Sequence, residues 1–231
     1  MIHVRDLSKV YNGNTVLSID SLHIKKGECF GLVGNNGAGK TTFFSLLLDL
    51  IQPTTGGLVN GGFAVSETEA WKPFTAAFID ESFLIGYLTP EEYFYFIGAL
   101  RGLNKEQLEN ALLEYVDFFN GEILSSGKYL RDFSKGNQKK VGIAAAFLGN
   151  PKLVVLDEPF ANLDPSTQIR LKKLMIKKTV TQELTMLISS HDLQHTVEVS
   201  TRIVALEKGR LVKDVQTSEN TLSELQAFFA V

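Results

Sequence analysis

Apolar positions along this chain follow two rhythms. Short runs bounded by turn residues stand at Glu28–Val33, Ala76–Ile79, Leu153–Leu156 and Leu184–Ser189, and each reads as a buried strand. Arg202–Leu206 and Arg210–Lys213 flank Glu207-Lys208-Gly209 and read as a hairpin. Met1 to Lys26 reads as short strands broken by Tyr11-Asn12-Gly13-Asn14. Pro53 to Gly57 ends a helix, and Asn60-Gly61-Gly62 marks a turn.

Beyond residue 80 the period turns helical. Thr89-Pro90-Glu91-Glu92 combines a cap, a proline for the first helical position and a capping-box glutamate. The body that follows, Tyr93 to Ile97, is apolar on nearly every side and so predicts a helix buried on both faces. A second helix is expected over Lys105–Phe119, with Leu108, Leu112, Leu113 and Val116 on its apolar stripe. A third begins at Ser134 and stops at Asn150-Pro151, and a charged helix runs from Pro165 to about Lys178. The pattern predicts a single α/β domain over 1–231. Its core spans residues 1–80 and 152–231, and a helical subdomain, 81–151, interrupts it.

Composition narrows the function. The net charge of −3 supplies no global basic field, so no nucleic acid is expected as partner. Cys29 is the one cysteine, which excludes an intrachain disulfide, and its apolar setting predicts a buried, inert thiol. The chain opens on strand character, without a secretory signal, and no apolar run approaches a membrane span. The expectation is a cytoplasmic protein, or one held peripherally on the cytoplasmic face of a membrane.

The run Gly34-Asn35-Asn36-Gly37-Ala38-Gly39-Lys40-Thr41-Thr42 fits the P-loop pattern, and it sits between a predicted strand and a predicted helix, as that pattern requires. Glycines let the backbone turn so that successive N–H groups cradle phosphate oxygens, and the helix N-terminus adds a favourable dipole. Asn35, Gly37, Ala38, Gly39, Lys40, Thr41 and Thr42 are therefore expected to bind the triphosphate of ATP. Lys40 would bring charge to the β- and γ-phosphates, and Thr41 would offer a hydroxyl to Mg²⁺. Further on, the strand Leu153–Leu156 delivers Asp157 and Glu158 at its C-terminal end, where ligands bind in open α/β sheets. Asp157 suits Mg²⁺, and Glu158 could orient or deprotonate an attacking water.

With these two motifs in this order, the chain resembles the nucleotide-binding subunits of ATP-binding cassette (ABC) transporters over nearly its whole length. The resemblance implies a P-loop NTPase core of mostly parallel sheet, an N-terminal antiparallel β subdomain and the inserted helical subdomain. Phe133-Ser134-Lys135-Gly136-Asn137-Gln138 stands where the family carries its signature loop, with Lys135 and Asn137 as departures. Ser134 and Gly136 are the residues that the resemblance brings to the γ-phosphate on an opposite subunit. Tyr11 resembles the aromatic that stacks on adenine, the alternative being a core aromatic. Ala161-Asn162-Leu163-Asp164 resembles the loop that crosses the dimer interface, and His191 resembles the switch histidine. His195, one helical turn on, has no matching role and reads as a surface residue. The family's glutamine before the helical insertion is missing. Glu81 takes its place, either as a third metal contact or as a solvated carboxylate.

The resemblance implies an ATPase that dimerises head to tail on ATP, as a homodimer or with a second cassette, and powers separate membrane-spanning permease subunits. Its catalytic set would be Lys40, Glu158 and His191, and its metal set Thr41, Asp157 and Glu81. The aromatics Phe83, Tyr87, Tyr93, Phe94, Tyr95 and Phe96 would pack the helical subdomain or form a groove for a permease helix. The segments Leu88–Glu92 and Ser134–Gly136 resemble exporter cassettes more than importer ones, and the short stretch from Thr221 leaves no room for an appended regulatory domain. Two other readings stay open: a soluble ABC ATPase outside transport, and a binding-only cassette with weak hydrolysis.

Overall fold

The computed structural model describes residues 1–182 and 184–230. It opens on a long hairpin. Strands β1 (Ile2–Tyr11) and β2 (Asn14–Ile24) pair antiparallel around Asn12-Gly13, both with positive φ, as a tight hairpin turn demands. The turn expected at Tyr11-Asn12-Gly13-Asn14 is in place, and the strands on either side, of 10 and 11 residues, are longer than the short ones expected. A bulge at Lys9/Val10 takes up an extra residue on β2, so the ladder bends instead of ending. Strands β4 (Thr55–Asn60) and β5 (Phe63–Ala64) complete a four-stranded antiparallel sheet in the order β2-β1-β4-β5. Thr55–Gly57, read from sequence as a helix terminator, is already strand. Gly56 makes that pairing workable. A Cβ there would lie 2.1 Å from the Asp6 carbonyl oxygen, and φ is +69°.

The second sheet has six strands in the order β10-β9-β3-β8-β7-β6. They are β3 (Cys29–Val33), β6 (Thr75–Phe78), β7 (Leu153–Leu156), β8 (Thr185–Ser190), β9 (Arg202–Glu207) and β10 (Arg210–Gln216). All neighbouring pairs are parallel except the β9–β10 hairpin. Every residue of β3, β7 and β8 is buried. Continuous apolar runs of this kind are what a sheet covered on both faces requires. Helices α1 (Lys40–Leu47), α6 (Pro165–Gln182), α7 (Leu193–Val199) and α8 (Thr221–Phe229) accompany it. Cys29 is buried as expected, and burial pushes its thiol pKa up to about 12.

The stretch 81–151 holds α2 (Pro90–Leu100), α3 (Lys105–Leu112), α4 (Val116–Phe119) and α5 (Lys135–Ala146). The predicted capping box at Thr89 and Glu92 forms in full. Two expectations fail here. Helix α2 buries Tyr93 and Phe94 but leaves Tyr95 and Phe96 exposed, so it has one inner face, not two. The stripe of the second helix is also different. Leu113 and Val116 face outward, and the buried side runs through Leu108, Tyr115, Phe118 and Phe119. A 3₁₀ turn at Leu113–Tyr115 separates α3 from α4. The spacing 108, 112, 115, 119 alternates steps of four and three, as one helical face does; 113 and 116 lie off it.

One apolar cluster joins these helices to the sheet, running from Phe94 and Phe119 through Val141 and Phe147 to Leu156 and Met186. Each such side chain, fully buried, contributes about 1.5–3 kcal/mol. Helix α5 lies closest to the sheet. At Gly142 a Cβ would sit 2.1 Å from the Phe78 ring of β6, so the ring occupies the space a side chain would need. Among the described residues no helix is long and apolar enough to cross a membrane.

Candidate active site

Strand order builds the site. β8 lies between β3 and β7, with Val33 opposite Ser190 and Leu156 opposite Ile188. The loops leaving these three C-terminal ends carry residues 34–39, Asp157-Glu158 and His191. Chain segments more than a hundred residues apart therefore start from adjacent strands, roughly 4.8 Å apart.

The loop 34–39 turns on Gly37 and Gly39, with φ of +81° and +110°. Gly39 is the N-cap of α1, and a Cβ there would lie 3.0 Å from the Val16 carbonyl oxygen, so β2 passes directly over the loop. Lys40 is buried and folds back, its Nζ donating to the Gly34 carbonyl at 2.7 Å. This ammonium also stands 3.4 Å from Glu158 Oε1. Thr41 Oγ1 donates to Asp157 Oδ2 at 2.6 Å, and Ser189 Oγ donates to Asp157 Oδ1. Burial pushes the Asp157 carboxyl pKa up, and the bonds from Ser189 and Thr41 partly offset that.

Glu158 has left-handed backbone, φ +46°, a conformation that costs a non-glycine residue about 1–2 kcal/mol. Its N–H donates to Ser189 Oγ at 2.9 Å. Its carboxylate reaches Lys40 on one side and His191 on the other, with His191 Nδ1 2.8 Å from Oε2. Lys40, Thr41, Asp157, Glu158 and His191 are thus brought together. Ser189, which sequence reasoning did not assign, holds both acidic residues; as an ordinary strand serine it carried no motif signal.

Other candidates are placed elsewhere. Tyr11 ends β1 as an exposed ring with the Lys9 ammonium 4.8 Å from its centroid, so the core reading for it fails. Ser134 caps α5 through the Asn137 N–H at 3.3 Å, as predicted. Ser134 and Gly136 line a shallow cavity with Asn162, Leu163 and Asp164. The P-loop residues Asn35, Gly37 and Ala38 line a different one, with Leu206 and Lys208. Glu81 opens a 3₁₀ turn, its Oε1 3.8 Å from Lys139 Nζ and its Oε2 3.9 Å from Lys135 Nζ. His195, expected at the surface, packs its ring 4.9 Å from Phe160 with its side chain only 17% exposed.

This geometry belongs to a recognisable lineage. The profile of the ABC transporter family matches residues 17–161, which hold the P-loop, the signature segment and Asp157-Glu158. The chain belongs to the ABC transporter family. It is an ATP-binding subunit of an ABC transporter and an ATPase cassette. The cassette is 33% identical to the bacitracin transport ATP-binding protein BcrA of Enterococcus faecalis, over 95% of this chain and 70% of that one. It is 29% identical to the methionine import ATP-binding protein MetN of Carboxydothermus hydrogenoformans, over 93% of this chain and 66% of that one. Among solved structures, an ATP-binding subunit of an ABC transporter superposes with a TM-score of 0.84 at 29% identity, covering all of this cassette and 93% of that chain. The dimeric cassette MJ0796 bound to ADP and Pi has the same fold, with a TM-score of 0.84 at 22% identity over 94% and 99% of the two chains.

Thr41 and Asp157 suit Mg²⁺. They are two hard oxygen donors in hydrogen-bond contact, the number Mg²⁺ takes from protein when substrate phosphates and water supply the rest. Among the described residues no group of three or more His, Cys, Asp and Glu could hold a metal ion.

Proposed function

We propose that this cassette hydrolyses Mg·ATP at a site completed by a second cassette, and that the hydrolysis drives permease subunits in the membrane. One observation carries the reading: the Glu158 carboxylate is held between Lys40 and His191 at the mouth of the P-loop. The P-loop amides and Lys40 bind the phosphates, with Lys40 exchanging its bond to the Gly34 carbonyl for one to phosphate. Glu158 orients a water and takes its proton as the water oxygen attacks the γ-phosphorus in line, with ADP leaving. His191 fixes the other oxygen of that carboxylate and so holds its orientation. Thr41 and Asp157 would hold Mg²⁺, which when bound neutralises charge on the triphosphate. Glu81, with an oxygen facing each of two lysines, has no part in this metal set. Tyr11, an exposed ring at the end of β1, would stack on adenine.

The head-to-tail pairing is supported by the two cavities, which share no residue. Ser134 and Gly136 are thus free to meet a nucleotide held by another cassette, with the α5 N-terminus aimed at phosphate. A groove of about 400 Å³, lined by Leu50, Ile79, Phe83, Tyr93 and Ile97, offers a permease helix an apolar seat, which would place the cassette on the cytoplasmic face of the membrane. Export is the direction that Leu88–Glu92 and Ser134–Gly136 favour; the relatives include both a bacitracin transport and a methionine import subunit.

The test is turnover per chain against protein concentration, in the wild type and in Glu158→Gln. The expected result is a wild-type rate that rises with concentration and a variant that binds ATP, accumulates as a dimer and turns over about 10²–10⁴ times more slowly. A wild-type rate per chain that stays constant on dilution, or full turnover by the variant, overturns the reading.

A further inference from the structure

The left-handed backbone of Glu158 is clamped at both ends. Ser189 takes its N–H, as described above. The carbonyl is taken from the other side by Lys139 of α5, whose Nζ donates at 2.8 Å. The same ammonium donates to the Ala161 carbonyl at 3.0 Å, so it holds the start and the end of the turn 158–161 together. Its third direction faces Glu81 Oε1 at 3.8 Å. Lys139 is 4% exposed, which is unusual for a lysine unless its donors and its charge are answered. Here two carbonyls answer the donors and Glu81 answers the charge. Lys135, also on α5, stands on the far oxygen of Glu81 and steadies it.

We propose that Lys139 is a positioning residue for hydrolysis: it locks the main chain of Glu158 so that the carboxylate lies between Lys40 and His191, with Glu81 as its counter-ion. The inference rests on the role given to Glu158 above. An ammonium suits the place because it carries three donors at one point, matching two converging carbonyls and a carboxylate. The turn 158–161 closes on itself through one bond, the Ala161 N–H donating to the Glu158 carbonyl at 3.2 Å. Lys139 adds the bonds that tie this turn to α5, and without them Glu158 is freer to relax toward the ordinary right-handed backbone, which swings the carboxylate away from the water it must hold. Glu81 starts the segment that leads into α2, while Lys139 sits on α5. A movement of the helical stretch thus reaches the carboxylate through a single side chain, without touching the nucleotide. Phosphate binding does not involve Lys139, so its loss should appear in kcat and not in nucleotide affinity.

The experiment uses the full chain with Lys139→Met, which removes all donors, and Lys139→Gln, which keeps an amide donor without the charge. Each is made alone and with Glu158→Gln. Turnover and binding of ATP are measured for all. The expected result is a kcat lower by about 10²-fold for the Met variant and by a smaller factor for the Gln variant, with ATP affinity within about threefold of wild type. In the Glu158→Gln background either change should leave the residual rate where it is, because the group being positioned is already gone. Should the Met variant fail to fold, the Gln variant decides alone. Unchanged kcat in a folded Lys139 variant overturns the proposal, as does an equal fold-loss with and without Glu158. Full turnover by Glu158→Gln itself would instead overturn the role given to Glu158.

Discussion

The Lys40 ammonium lies 3.4 Å from Glu158 Oε1, so the charge proposed to bind phosphate is partly neutralised by the residue proposed to activate water. ATP has to displace this contact. Glu158→Gln removes the competitor, and it should tighten ATP binding by roughly 2- to 10-fold, the effect of one partly exposed ion pair, even as it stops turnover. Lys40→Met should do the opposite and weaken binding at least about 10²-fold, as expected for loss of a buried charge-assisted phosphate contact. Equilibrium titration with ATP checks both. A Lys40→Met variant with wild-type affinity would remove the P-loop from the account.

Asp157→Asn should give a more stable and less active protein. Burial raises the Asp157 pKa, so its ionised form is disfavoured in the folded state; the cost is full above the folded pKa and vanishes below the unfolded one. At neutral pH, Asn removes that cost and can still bond Thr41 and Ser189. Relief of that cost would raise Tm, by roughly 2–4 °C for each kcal/mol. Thermal melts without nucleotide, at pH 7 and near pH 4, would show the gain shrinking as pH falls. A gain that grows toward low pH contradicts the assignment.

Gly142→Ala tests how closely α5 approaches β6. With a Cβ 2.1 Å from the Phe78 ring, something must shift, and overpacking of this kind costs about 1–3 kcal/mol. A melt lowered by roughly 2–4 °C for each kcal/mol is expected. Gly142→Ala combined with Phe78→Leu should recover part of it, and an unshifted single variant would mean the ring has room to move.

Glu81→Gln separates two roles that the sequence left open. As the counter-ion of Lys139, Glu81 should on replacement lower kcat by several-fold to about 10-fold while leaving the Mg²⁺ concentration for half-maximal rate within about twofold. A titration curve displaced by about 10-fold or more would restore Glu81 to the metal.

Most of the nucleotide site was legible because its information is local. Gly34 to Thr42 states its own backbone needs in nine residues, and Asp157-Glu158 follows an apolar run that could only be a buried strand. The capping box at Thr89 was equally local and formed as written. What escaped depended on distant partners. Lys139 reads as one more polar residue near the start of a helix; its burial against residues 158–161 and 81 is set by tertiary packing. Ser189 was one of two serines ending a strand, and its bonds cross to a neighbouring strand. Leu113 and Val116 were misplaced because hydrophobicity alone did not distinguish them from Tyr115 and Phe119, which fill the interior. The first hairpin turn was local as well, and Asn12-Gly13 sits where it was read; the bulge at Lys9/Val10 left no mark in the sequence, because it depends on how the two strands pair.

The placement of β8 between β3 and β7 has a consequence for how such a molecule can diversify. The P-loop helix and the Asp157-Glu158 pair, 116 positions apart from Thr41 to Asp157, are spaced by hydrogen-bond ladders and not by the length of what joins them. Segments inserted between β6 and β7 can therefore grow, shrink or be reshaped to suit a new companion, while the distance between the Thr41 hydroxyl and the Asp157 carboxylate stays pinned by the weave of the sheet.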